Sequence, residues 1–226
     1  MTHKDLLPTL RREGDVHVLT IGEGENRFAP DWIDRINELL DEVTAAPAPL
    51  VVTAAGKYFC SGLDLDWVMA HMDRLGRFEE DVHGLFARVL TLPVPTVAAI
   101  NRHAFGTGAM LALACDWRVM RADRGFFCFP EIDIQMPFTA ASAALIQSKL
   151  SPRAALDAMT TATRYSGPDA LAAGIVDGVS DEEDLLATAI ARVAHLHGKS
   201  AATLGAIKTT MYAGAVSALR TSSTPE

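Results

Sequence analysis

Twice in this chain a short apolar strand runs into a glycine-bearing loop that opens a helix, first over Leu50–Asp64 and again over Thr96–Ala114. Strands apolar along their whole length need cover on both faces, which predicts α/β units with parallel pairing. The same pattern leaves the N–H groups of both loops pointing into a crevice at the strand ends, where open α/β sheets take ligands.

The remaining elements follow from periodicity. Val16–Ile21 alternates and is rich in β-branched residues, so it reads as a strand. Pro30–Val43 carries Trp32, Ile33, Ile36, Leu39 and Leu40 at helical spacing and stops before Pro47. Leu50–Ala54 and Thr96–Ile100 are buried strands, Leu65–Leu92 is mostly helical, and Asn101–Gly108 is a loop ahead of a helix at Met110–Ala114. Trp117–Met120 and Phe126–Phe129 are further short strands, and from Ala140 onward the pattern is almost all helix, with a turn at Gly174–Val179 and a helix over Leu185–His197. No internal repeat of solenoid period is visible.

A net charge of −8 is wrong for general nucleic-acid binding, which needs a basic surface, although a few local bases would still hold a phosphorylated ligand. Cys60, Cys115 and Cys128 share no metal-type spacing and read as reduced thiols. No apolar run approaches the roughly 20 residues that span a bilayer, and neither end shows a signal or lipidation address. These features predict a cytoplasmic protein with no metal, membrane or nucleic-acid partner.

Four segments, GKYFCSGLDLDW at Gly56–Trp67, PVPTVAAINRHAFGTGAMLALACDWRVM at Pro93–Met120, FPEIDIQMPF at Phe129–Phe138 and ALAAGIVDGV at Ala170–Val179, stand in order and spacing that resemble the enoyl-CoA hydratase/isomerase (crotonase) superfamily. GLDLDW and EIDIQMPF are most similar to its Δ3,Δ2-enoyl-CoA isomerase branch. The resemblance implies a spiral of ββα units over residues 1–138, bearing an acyl-CoA site, and a helical trimerisation region over 139–226. It also implies a homotrimer or dimer of trimers and no cofactor other than the CoA carried by the substrate.

Carried over by motif position, the oxyanion hole belongs to the backbone N–H groups of Leu63, after Gly62, and Thr107, between Gly106 and Gly108. Fixed N–H dipoles stabilise the charge that develops on a thioester oxygen, at about 3–4 kcal/mol per donor. The glycines alone would also fit plain tight turns. Glu131 stands at the matching position of the catalytic acid/base, able to take a proton from C2 of a 3-enoyl thioester and return it to C4. Met110 stands where hydratases of the family carry a second glutamate, and a thioether neither holds a water as a base nor returns a proton.

Asp64 and Asp133 are the alternative acids. Asp64 suits a backbone hydrogen bond in its loop, and Asp133, two residues past Glu131, would share its side of a strand. His103 near Cys60, Ser61 or Cys115 is a conceivable nucleophile pair, but no Gly-x-Ser-x-Gly elbow is present. The turn Asn26–Phe28 matches the part of the family that meets CoA, and Arg27, Lys57 and Lys208 are candidate phosphate partners. Ser61, Leu65, Phe138 and Met110 line the expected substrate path, with the Trp67–Met72 helix, Phe86 and Met136 shaping its acyl end. The readings left open are an isomerase, a hydratase or other reaction of this superfamily, and a non-catalytic acyl-CoA binder.

Overall fold

The computed structural model describes residues 7–221. A hairpin of β1 (Thr9–Glu13) and β2 (Val16–Thr20) leads to α1 (Pro30–Ala45), which starts with proline at its first turn and buries Ile33, Ile36, Leu39, Leu40 and Val43. Then come β3 (Leu50–Thr53), β4 (Tyr58–Cys60), α2 (Leu65–Ala70), α3 (Leu75–Leu90), β5 (Thr96–Ile100), β6 (His103–Phe105), α4 (Thr107–Ala114), β7 (Trp117–Arg121), β8 (Phe127–Cys128) and α5 (Ala140–Lys149). The chain ends with α6 (Pro152–Thr161), α7 (Gly167–Ala172), β9 (Gly178–Ser180), α8 (Leu185–Ala194), α9 (Ala201–Met211) and α10 (Ala213–Arg220).

The strands sort into two sheets. One has the order β1-β2-β3-β5-β7-β9, parallel except for the hairpin, and the other is the parallel trio β4-β6-β8. The pairs β3–β4, β5–β6 and β7–β8 therefore each place one strand in the large sheet and the next in the small one before a helix follows. This is a spiral of ββα turns. The repeat escaped the sequence because β3, β5 and β7 begin at Leu50, Thr96 and Trp117, unequal intervals with dissimilar residues.

Period-two alternation places the large sheet between two apolar layers. Val16, Val18, Val51, Val97, Ala99 and Val119 meet Leu185, Ala189 and Val193, spaced by four on α8. Leu19, Leu50, Val52, Ala98, Ile100 and Met120 face the main core, which reaches from β2 to Leu219 of α10. Helix α10 packs on α3 and α5, joining the C-terminal helices to the body that holds the site.

Several elements differ from expectation: β1 was not foreseen, β4 lies in the segment read as a loop before Asp64, and β9 begins in the segment read as the Gly174–Val179 turn. The segment Asn101–Gly108 contains β6, whose three residues are too few to show a period but pair with Tyr58 and Cys60 on one side and with Phe127 and Cys128 on the other. The helix expected over Leu65–Leu92 is broken at His71 and passes through a 3-10 turn, Met72–Arg74. No helix among the described residues is long and apolar enough to cross a membrane.

Candidate active site

The small sheet delivers both glycine loops to one place. Strand β4 ends at Cys60 and β6 at Phe105, and the loops that follow abut. Gly62 has φ 104°, and a β-carbon there would meet the Phe105 carbonyl at 3.3 Å and the Thr107 nitrogen at 3.8 Å. Gly108 lies closer still: a β-carbon would stand 2.4 Å from the Cys60 carbonyl oxygen, so only glycine lets α4 begin against β4.

This arrangement leaves two backbone donors free. Phe28 N–H donates to the Gly62 carbonyl and Asp64 N–H to the Phe28 carbonyl, each at 2.9 Å, which strips Leu63 of a partner on that edge. Thr107 is the first residue of α4, where an intrahelical acceptor does not exist. Neither N–H donates a hydrogen bond to another described residue.

Glu131 completes the group. It follows β8 and Pro130, and its Oε1 lies 3.3 Å from where a Gly106 β-carbon would be. Its Oε2 is buried without a hydrogen-bond partner among the described residues. Burial pushes its pKa up to about 7, against the smaller opposing pull of its own backbone N–H. Such a carboxyl is poised to exchange protons near neutrality.

Leu63, Thr107, Glu131 and Met110 line one inner cavity of about 110 Å³. Met110 is 4% exposed and is part of that lining. Phe78, Val82, Phe86, Met136 and Phe138 supply apolar wall, and Glu79, His83, Thr139 and Ser142 supply polar wall. A wider outer cleft of about 750 Å³ lies across the Gly62–Asp64 segment, lined by Asn26, Arg27, Lys57, Tyr58 and Asp64 among others.

Residues 14–226 match the sequence profile described as enoyl-CoA hydratase/isomerase. Enoyl-CoA delta isomerase 2, peroxisomal, of Arabidopsis thaliana is 35% identical over 197 residues, 82% of each chain. The chain belongs to the enoyl-CoA hydratase/isomerase family. A putative enoyl-CoA hydratase of Thermus thermophilus is 32% identical over 74% of this chain and 69% of that protein. The crystal structure of human mitochondrial delta3-delta2-enoyl-CoA isomerase, 20% identical, shares the fold with a TM-score of 0.87 over 94% of this chain and 85% of that one. The ββα spiral expected from the motifs is thus the crotonase fold.

Within this family member, several residues singled out from the sequence sit elsewhere than expected. Phe28 is 0% exposed, packed against Trp32 and Phe86, and offers no surface to a ligand. Asn26, at φ 53°, turns its amide onto the Tyr58 and Phe59 carbonyls at 3.1 and 3.0 Å, so it shapes the turn. Arg27 is engaged by Glu25 at 2.5 Å, Asp66 at 3.2 Å and Asp64 at 3.7 Å. That leaves Lys57, lying over the Tyr58 ring, as the outer cleft's base without a carboxylate partner among the described residues.

Asp64 caps α2, accepting from Trp67 N–H at 3.2 Å, the backbone role its position suggested. Leu65 is 49% exposed and lines neither cavity. Asp133 is exposed and lies in a turn, its N–H donating to the Pro130 carbonyl at 2.9 Å, because the chain after Pro130 coils instead of extending. The shared strand face expected for Glu131 and Asp133 does not exist. Met69 of α2 and Met72 of the 3-10 turn are likewise in solvent, away from the acyl wall. Lys208 is 4% exposed and lies 2.6 Å from the Asp116 carboxylate, far from any phosphate role.

The nucleophile alternative loses its parts. The Cys60 thiol donates to the Asn26 carbonyl at 2.9 Å, and burial pushes its pKa up to about 12. His103 packs among Tyr58, Phe105 and Phe126, and burial holds its pKa down, with Lys57, Arg102 and Arg164 adding to the effect. Ser61 Oγ is buried without a partner. The residues missed from the sequence are Glu79, His83, Thr139 and Ser142. His83 had a signal, a polar residue inside the apolar stripe of α3 between Val82 and Phe86.

Proposed function

We propose that this chain isomerises 3-enoyl-CoA to 2-enoyl-CoA by a 1,3 proton shift, with Glu131 as the acid/base. The observation that carries the reading is the pairing of Glu131, whose Oε2 is buried without a hydrogen-bond partner among the described residues, with an apolar Met110 in one cavity. Glu131 takes a C2 proton from the bound thioester. The electron pair moves into a dienolate whose oxygen is received by the Leu63 and Thr107 N–H groups. The carboxyl then returns the proton at C4. One group on one face of the substrate does both transfers.

Hydration would need a water held and polarised at the Met110 position, which a thioether does not provide. Glu79, the other carboxylate of the cavity, belongs to α3, one turn from His83, and not to the glycine loops. The names of the Arabidopsis relatives, enoyl-CoA delta isomerases, support the same reading. It requires no cofactor beyond the CoA of the substrate. A homotrimer is part of the proposal, supported by the exposed Ile207 and Met211 on the outer side of α9.

The test is turnover of 3-enoyl-CoA and hydration of 2-enoyl-CoA by the same purified protein. Isomerisation is expected to be far the faster, with C2 deuterium uptake from heavy water. A hydration rate equal to or above the isomerisation rate would overturn the assignment.

A further inference from the structure

The α3–α5 side of the inner cavity carries a chain of polar groups in a largely apolar lining. His83 Nε2 lies 3.4 Å from Thr139 Oγ1, which lies 3.1 Å from Ser142 Oγ. His83 is 6% exposed and Ser142 8%, and both line the cavity. Burial holds the His83 pKa below its usual value, favouring the neutral ring.

A neutral imidazole has one donor and one acceptor nitrogen, and each hydroxyl has one proton. If Nε2 carries the proton, it donates to Thr139, Thr139 donates to Ser142, and the Ser142 proton is left over. If Nδ1 carries it, Ser142 donates to Thr139, Thr139 donates to Nε2, and a Ser142 lone pair is left over. Either way the chain ends at Ser142 with an unfilled hydrogen-bonding site, able to change from donor to acceptor with the histidine tautomer.

A hydrocarbon tail leaves that site unmatched beside side chains that are less than a tenth exposed. A carboxylate tail would meet Glu79 in the same lining. A hydroxyl matches Ser142 in either state and, where Ser142 is the donor, keeps its own proton for Glu79. Size sets the second limit. The cavity of about 110 Å³ is small beside the roughly 300–1,000 Å³ of a typical ligand pocket, which favours a short chain.

Resting on the isomerase reading for its reactive end, we propose that the cavity selects a short 3-enoyl thioester ending in a hydroxyl received by Ser142. The test is calorimetry on the Glu131→Gln protein, which holds substrates without turning them over. (E)-5-Hydroxypent-3-enoyl-CoA is expected to bind roughly tenfold more tightly than (E)-pent-3-enoyl-CoA, the yield of about one added hydrogen bond. Adding Ser142→Ala should bring the two within about twofold, and (E)-oct-3-enoyl-CoA should bind more weakly than either. Ser142→Cys, similar in size and a weaker donor, serves if the alanine variant does not fold, and should also shrink the preference.

Equal affinities, a preference that survives loss of the Ser142 hydroxyl, or tightest binding of the octenoyl ester would overturn the proposal. Turnover by the wild-type protein is read separately. No isomerisation alongside an intact binding preference sinks the isomerase reading and leaves the hydroxyl site standing; isomerisation without the preference does the reverse.

Discussion

Glu131 rests its carboxylate on Gly106: Oε1 lies 3.3 Å from the point a β-carbon on Gly106 would occupy. The glycine is needed twice over, because its φ of 49° with ψ −122° also lies outside the range of other residues. Gly106→Ala is therefore expected to strain the loop by about 1–3 kcal/mol. It should also push the carboxylate off its position, lowering kcat by roughly tenfold or more. KM should change less. Steady-state kinetics with thermal melting check this; wild-type kcat would show that the contact does not position the base.

Gly108→Ala tests the other close approach. A β-carbon 2.4 Å from the Cys60 carbonyl has backbone on its far side, so α4 must move away from β4. Overpacking of this kind costs about 1–3 kcal/mol or more, and here it displaces the Thr107 N–H as well. The expected outcome is a lowered melting temperature together with a loss in kcat. A variant as stable and active as wild type would remove the argument for a fixed donor.

The raised pKa of Glu131 makes a pH prediction with a definite sign. The base must be charged to take the C2 proton, so kcat/KM should rise with pH and level off above about 7. Glu131→Gln should lower kcat roughly 10²–10⁴-fold and abolish that rise. A residual activity with the wild-type profile would place the proton carrier elsewhere.

The same shift bears on stability. A carboxyl whose folded pKa is raised binds its proton more tightly in the folded state, so its favourable contribution is complete below the ordinary glutamate pKa and is lost as pH rises through about 7. Glu131→Gln should therefore gain stability relative to wild type at pH 8 compared with pH 4.5. Melting curves at both pH values decide it; a difference independent of pH, or of opposite sign, contradicts burial as the cause.

Lys208 gives a prediction independent of catalysis. Its ammonium donates to the Leu92 and Val94 carbonyls at 3.0 and 2.7 Å besides pairing with Asp116, tying α9 to the entry of β5. Lys208→Met leaves Asp116 buried without its cation, which typically costs about 3–5 kcal/mol. Denaturant titration should show a loss of that size, and a change within experimental error would mean Asp116 is already satisfied by the Thr96 N–H at 2.8 Å.

Much of this was legible before any coordinates. The β-branched runs at Val16–Ile21 and Thr96–Ile100 and the apolar spacing of Pro30–Val43 are local signals, and they became β2, β5 and α1. Glu131, Met110, Leu63 and Thr107 were named from motif positions, and the tertiary structure gathers all four around one cavity. Less visible was β6, whose three residues carry no period of their own and exist through pairing with strands distant in sequence.

The sequence alone determined the longer elements, the family and the chemical types at the site, because periods of two and 3.6 and the ordered motifs are properties of neighbouring residues. The tertiary structure alone decided which of those residues can act. Burial is a long-range property: it turned Phe28 and Lys208 inward, left Asp133 in solvent, raised the pKa of Glu131, and closed α3 and α5 around His83, Thr139 and Ser142. No local pattern reports those outcomes, since each depends on which surfaces the ββα turns bring together when they stack.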